Sequence, residues 1–305
     1  MERFELHILG CGSALPTLRH HPTSQIVLRG DKLFMVDCGE GSQLQMRHQR
    51  LSFSKLHHIF ISHLHGDHCF GLMGLISTFS LLGRTGDLVI HAPGELEGLL
   101  RPWLKFYCKG AGFQVIIQAF DTTRSETIYE DKTLTVSTIP LRHRLPCCGF
   151  LFRERQSLPH IRRDVTDYYE IPVYAFNSIK EGAGWTTPDG RVIPHEWLVS
   201  PAAPPRSYAY CSDTAYLPEN VPLLEGVDLL FHEATFSRAE SARATETFHS
   251  TAEQAATMAR DAHVKKLVIG HFSARFDDES DLLAEARAVF PETIVANEGL
   301  CIPIG

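Results

Sequence analysis

The chain lacks a C-x-x-C pair, although it holds eight cysteines in 305 residues. Scattered thiols of this kind argue against both a disulfide framework and a closed tetrathiolate zinc site, and they fit a reducing cytoplasm. Also missing is an apolar run long enough to cross a bilayer. The longest stretch, Cys69 to Gly83, carries serines and a threonine and falls short of the roughly 20 residues a membrane span needs. No basic leader followed by an apolar segment opens the chain, so nothing supports export and no membrane partner is expected. Internal repeats and low-complexity tracts are absent too. Excess positive charge is lacking: 29 Lys and Arg stand against 36 Asp and Glu, a formal net charge of -7. A dense phosphate-binding surface over the whole body is thereby excluded. A local basic rim is still expected where Gly10 to Ser24 carries Arg19, His20 and His21 without an acid.

What the chain does have is histidine, 17 residues in all, and six positions concentrate three of them. His63-Leu64-His65-Gly66-Asp67-His68 follows the apolar run ending His58-Ile59-Phe60-Ile61. Imidazole nitrogens and carboxylate oxygens without a thiolate suit an open site for a borderline cation such as zinc. If a strand carries the start of this motif, alternation puts His63 and His65 on one face, where they share a cation. Asp67 then caps the next helix. The apolar positions Phe70, Leu72, Leu75, Ile76, Phe79 and Leu82 of that helix predict one buried over most of its surface.

Period-two and turn signals predict strands near 4–9, 25–28, 33–36, 57–61, 88–91, 114–118, 134–139, 208–211, 229–232, 267–269 and 294–296. Helices are predicted near 42–48, 252–262 and 282–289. Strands first and strand-helix alternation later argue for face-to-face sheets with helices outside. Residues 154–206 break the rhythm with clustered prolines interleaved with Tyr168, Tyr169, Tyr174, Trp185 and Trp197. Acids and bases nearly cancel there, and the segment is expected to be an inserted arm. His143, Asp213 and His271 each follow a predicted strand, where loops leaving a rigid sheet carry chemistry.

With those residues in view the chain resembles the metallo-β-lactamase superfamily and, within it, the ribonuclease Z family of transfer-RNA 3′-end endonucleases. The matching pieces are Gly10-Cys11-Gly12-Ser13, Asp37-Cys38-Gly39-Glu40-Gly41, the 63–68 motif, Ser212-Asp213-Thr214, His232-Glu233-Ala234-Thr235-Phe236, His249-Ser250-Thr251-Ala252 and Gly270-His271-Phe272-Ser273. The resemblance spans nearly all of residues 1–305. It implies an α/β fold, an αββα sandwich with a protruding arm over 154–206 that serves as a tRNA-binding exosite. It implies two zinc ions per subunit, replaceable by manganese or cobalt. One would be held by His63, His65, His143 and Asp213, the other by Asp67, His68, Asp213 and His271. A water between them would attack phosphorus and leave a 3′-hydroxyl, with Asp67 as its proton acceptor, His249 as proton donor to the leaving oxygen and Glu233 holding the His249 ring. The implied partner is precursor tRNA, bound by a cytoplasmic homodimer whose arms serve the opposite active sites; this arm lacks the family's Lys-rich return, so Arg162, Arg163, Lys180 and aromatics are expected to grip the tRNA instead. Two other readings use the same residues: a phosphodiesterase acting on small diesters or other RNAs, and a non-catalytic RNA-binding relative.

Overall fold

The computed structural model describes residues 2–305. Two seven-stranded sheets dominate it. Across the first run Cys301–Pro303, Phe4–Gly10, Ser24–Arg29, Lys32–Cys38, Leu56–Phe60, Leu88–Ala92 and Val115–Ala119. The early hairpin strands pair antiparallel, whereas Lys32–Cys38 through Val115–Ala119 run parallel. Across the second run Thr293–Val295, Leu267–Gly270, Leu229–Glu233, Ser207–Cys211, Cys148–Glu154, Leu134–Pro140 and Thr127–Glu130, the first four mutually parallel.

The sheets meet through aromatic side chains, as alternation along each strand directs. Phe34 and Phe60 of the first lie 6.2 and 5.5 Å, ring to ring, from Phe152 of the second. Phe150 and Tyr210, both in the second sheet, stack behind them. The other face of the first sheet is covered by Met46, Leu72, Leu75, Ile76, Phe79, Leu96 and Leu100 from three helices. Helix Ala252–Asp261 packs on the strands Leu229–Glu233 and Leu267–Gly270. The result is the αββα arrangement.

The chain divides into two compact units. The larger comprises residues 2–129, 135–152 and 206–305, and the smaller residues 130–134 and 153–205. The smaller has its own core, in which Ile171, Ala175, Ile179, Ile193 and Leu198 are buried together. No helix of the described residues is long and apolar enough to cross a membrane.

Three local expectations are corrected. The strand Leu56–Phe60 ends before the histidine motif, so His63 and His65 stand in a loop and owe their convergence to its path rather than to pleat alternation. Asp67 does not cap a helix. His65 is the cap position of the short helix Gly66–Cys69, and Asp67 sits within its first turn. The helix Gly71–Leu81 buries Leu72, Leu75, Ile76 and Phe79 but leaves Leu81 outward, with Phe70 and Leu82 flanking it exposed, so only one face meets the sheet.

Candidate metal centre

Four loops that leave strand ends, and the turn between two helices that carries His249, bring the candidate site residues together. Residues 61–68 follow Leu56–Phe60, His143 follows Leu134–Pro140, Asp213 follows Ser207–Cys211, His249 precedes helix Ala252–Asp261, and His271 follows Leu267–Gly270. They converge on the floor of a cleft of about 740 Å³, whose walls include Ser13, Phe70, Arg144, Phe236, Arg243 and Arg275.

Besides a set that joins His249 to Asp213 and His271, two groups of donor atoms form there. His63, His65, His143 and Asp213 make one, and Asp67, His68 and His271 the other. Asp213 faces both. Its Oδ2 lies 3.7 Å from His63 Nε2 and 3.5 Å from His143 Nε2, while its Oδ1 lies 3.3 Å from His68 Nε2 and 3.0 Å from His271 Nε2. Asp67 Oδ2 stands 3.3 and 3.5 Å from the same two nitrogens. The first group is as tight, with His65 Nδ1 2.9 Å from His63 Nε2 and 3.3 Å from His143 Nε2.

The proton positions on four rings follow from their outer partners. Asp37 and the Phe248 carbonyl only accept, so His68 Nδ1 (2.7 Å) and His143 Nδ1 (3.0 Å) carry the hydrogen toward them. Ser62 Oγ spends its single proton on Asp37 Oδ2 (2.9 Å), so it accepts from His63 Nδ1 (3.0 Å). Thr235 Oγ1 donates to Glu233 Oε2 (2.6 Å) and therefore accepts from His271 Nδ1 (2.9 Å). Every one of these rings thus turns an Nε2 lone pair inward. The buried Nε2 atoms of His68 and His271 make no hydrogen bond at all, because in this tautomer each lone pair faces carboxylate oxygens that also only accept. Buried nitrogens left unsatisfied are costly, and lone pairs aimed at a shared point with outer carboxylates behind them are what a divalent metal ion requires. The donor set fits such an ion.

Electrostatics agree. Burial, reinforced by His68, holds His63 well below the usual imidazole range, in the neutral form that ligates. Burial opposes ionisation of Asp213, but His271 and His68 override it and keep the carboxyl well below its ordinary range. Burial also opposes a charge on His68, and Asp67, Asp213 and Asp37 together reverse that, raising it well above the ordinary value. Three carboxylates hold a proton there that a cation would replace.

Beside the clusters, Glu233 is fully buried and saturated. Its Oε1 accepts from Thr214 N–H at 2.9 Å and His249 Nδ1 at 2.8 Å, and its Oε2 from the backbone and hydroxyl of Thr235. Burial would lower the His249 pKa, yet Glu233 raises it to about 9. With Nδ1 engaged, Nε2 is left for the cleft that His249 lines.

Every site residue expected from the sequence therefore lies in or against this cleft. Sequence reasoning missed the supports. Asp37 accepts from Ser62, His68 and Tyr210, the last at 2.6 Å, and Thr235 links Glu233, His271 and His249. The only signal was the position of Asp37 in the Asp37-Cys38-Gly39 turn. The expected basic rim is not one: Arg19 is locked bidentately on Glu279, and His20 lies between Glu279 and Glu298. Positive charge at the cleft comes instead from Arg144 and Arg243, which make no ion pair among the described residues.

The chain is similar to known proteins over nearly its full length. A family model described as anti-Pycsar protein Apyc1 matches residues 4–157, and one described as beta-lactamase superfamily domain matches residues 193–272. A protein named ribonuclease Z from Phocaeicola vulgatus is 62% identical over 304 residues, covering 100% of this chain and 98% of its own length. Another of that name from Porphyromonas gingivalis is 53% identical with 100% of both chains covered. Among solved structures, the short form of human tRNase Z superposes with TM-score 0.71 at 24% identity over 99% of both chains. A metallo-beta-lactamase fold protein from Bacillus subtilis gives 0.69 at 18%, over 99% of this chain and 100% of its own. At such identities these two likenesses speak for the fold alone.

Proposed function

Because the chain belongs to the ribonuclease Z family of the metallo-β-lactamase superfamily, we propose that it cleaves precursor tRNA at the 3′ trailer with two divalent cations bound around Asp213. It is a hydrolytic endoribonuclease of tRNA 3′-end processing. The observation that carries the two-ion reading is the division of Asp213, one carboxylate oxygen facing each donor group. His63, His65, His143 and Asp213 would hold one ion, and Asp67, His68, Asp213 and His271 the other. Zinc suits this nitrogen and oxygen set, with manganese and cobalt as substitutes. When bound, such a pair lowers the pKa of water and neutralises charge at a phosphodiester undergoing in-line displacement.

The chain's own residues do the rest. Asp67, kept ionised by His68 and His271 against the pull of burial, accepts the proton of the attacking water. His249 Nε2 supplies a proton to the leaving 3′ oxygen, and the buried Glu233 fixes the ring that does so. Arg144 and Arg243, on the cleft wall, meet the phosphates flanking the cut.

Residues 154–206 are the proposed exosite for the tRNA body. Arg162 and Arg163 there are paired with Asp164 and Asp167, so the grip relies on exposed rings, with Tyr168, Tyr174 and Trp197 more than half exposed, as stacking platforms for bases or riboses. A cytoplasmic homodimer completes the proposal, on the family's precedent.

Incubating the full chain with a 3′-extended precursor tRNA and zinc or manganese should yield one major cut beside the discriminator base and a 3′-hydroxyl on the tRNA. Absence of cleavage by fully metallated protein rejects the proposal. Faster turnover of bis-p-nitrophenyl phosphate than of tRNA would favour a small-diester phosphodiesterase instead.

A further inference from the structure

Away from the cleft floor, Cys11, His20 and Glu298 bring a thiol, an imidazole and a carboxylate to one point. Cys11 Sγ lies 3.2 Å from His20 Nδ1 and 3.8 Å from Glu298 Oε1, and His20 Nδ1 lies 2.9 Å from Glu298 Oε2. Metal bonds of ~2.0–2.3 Å in a tetrahedral site set its donor atoms about 3.3–3.8 Å apart; the two Cys11 separations are close to that range, and the 2.9 Å His20–Glu298 contact, made through the other carboxylate oxygen, would open on binding. The separations also match the 2.9–3.7 Å spacings around His63. The site is enclosed: Cys11 is fully buried, and the His20 and Glu298 side chains are 10% and 12% exposed. The far nitrogen of the His20 ring has its own carboxylate, Glu279 Oε1 at 3.1 Å, the outer partner that metal-ligating imidazoles regularly carry.

We propose that Cys11, His20 and Glu298 bind a further divalent cation of the zinc class, separate from the ions around Asp213. A thiolate in the set selects zinc over magnesium, calcium or manganese, and three protein donors leave the fourth position of a tetrahedral ion to a water. The cation would pin three loops: residues 11–22, the turn carrying Glu279, and the C-terminal loop at Glu298. Phe272 N–H donates to the Cys11 carbonyl at 3.0 Å and Ser13 N–H to the Phe272 carbonyl at 3.1 Å, so the pin sits one residue from His271 in the paired backbone. Without a cation, the same groups form a hydrogen-bonded network centred on a charged His20.

X-ray absorption on the zinc-loaded full chain separates the two. All ligands around Asp213 are nitrogen or oxygen, so a sulfur shell at ~2.3 Å from zinc can come only from elsewhere. The proposal expects that shell in the wild type and in Asp213→Ala, and expects the cobalt-loaded protein to show a thiolate charge-transfer band in the near ultraviolet. Both signals should vanish in Cys11→Ser and persist in Cys301→Ser, since Cys301 lies near Glu5 and His7 in another cluster. Should Cys11→Ser fail to fold, His20→Asn and Glu298→Gln should each lose one zinc equivalent. A wild-type protein without a sulfur shell, a shell lost in Cys301→Ser, or unchanged zinc content in His20→Asn overturns the proposal. Loss of the ions around Asp213 alone would leave the sulfur signal intact, so this outcome is independent of the ribonuclease reading.

Discussion

The Asp37 carboxylate accepts from His68 Nδ1 at 2.7 Å, and both side chains are fully buried. Asp37 is also the acceptor for Ser62 and Tyr210, so one carboxylate sets the tautomer of His68 directly and that of His63 through the Ser62 hydroxyl. Asp37→Ala should weaken divalent-ion binding about 10–100-fold, as loss of outer-shell partners does elsewhere. Competition against a chelator measures this, and an unchanged affinity would refute the tautomer argument.

His249 is held by Glu233 through Nδ1, although it also lies with Asp213 and His271 in a third group of donor atoms. His249→Ala should lower kcat on precursor tRNA by about 10²–10⁴-fold, the usual contribution of a positioned proton donor, with ion content unchanged. An ion lost on substitution would make His249 a ligand instead.

His91 gives the fold a specific sensitivity to acid. It stacks on Phe60 at 4.4 Å and meets His58 at 3.1 Å, and burial, followed by the His58 charge, drops its pKa to about 3. The native state keeps this ring neutral, whereas the unfolded chain takes a proton below about 6.5. The contribution is therefore intact above that pH and declines as pH falls from about 6.5 toward 3, by up to about 1.4 kcal/mol per pH unit. His91→Phe should flatten this part of a stability-against-pH curve from denaturant melts. An unaltered slope would show that His91 is not the responsible group.

Gly71 opens the helix that follows the histidine motif, and a Cβ there would stand 2.1 Å from the Gly39 carbonyl oxygen. The next nearest atoms are also backbone of Cys38 and Gly39, so no flexible side chain is there to yield. Gly71→Ala should cost about 1–3 kcal/mol in denaturant unfolding. Gly98→Ala, in a helix with nothing near the added methyl, should be neutral or stabilise by up to ~1 kcal/mol.

Legibility in the sequence followed locality. The 63–68 motif could be read because its ligands are adjacent in the chain, and His143, Asp213 and His271 because each follows a strongly apolar strand. Asp37, Tyr210 and Thr235 could not, since their roles depend on which residues two facing sheets bring together. Helix Glu95–Tyr107 contains Gly98 and Pro102, both of which argue against a helix, and Gly149 blurs the alternation of Cys148–Glu154. The basic rim failed for a related reason. The acids that neutralise Arg19 and His20 lie 260 and 278 residues away along the chain, and charge patterning within a window does not see them.

The sharing of one aspartate by two cations is the central proposal. Anomalous diffraction from crystals of the zinc- or manganese-loaded chain tests it most directly. Two peaks flanking Asp213 are predicted, one within reach of His63, His65 and His143 and the other of Asp67, His68 and His271. A single peak, or none, in protein that still cleaves precursor tRNA would contradict it.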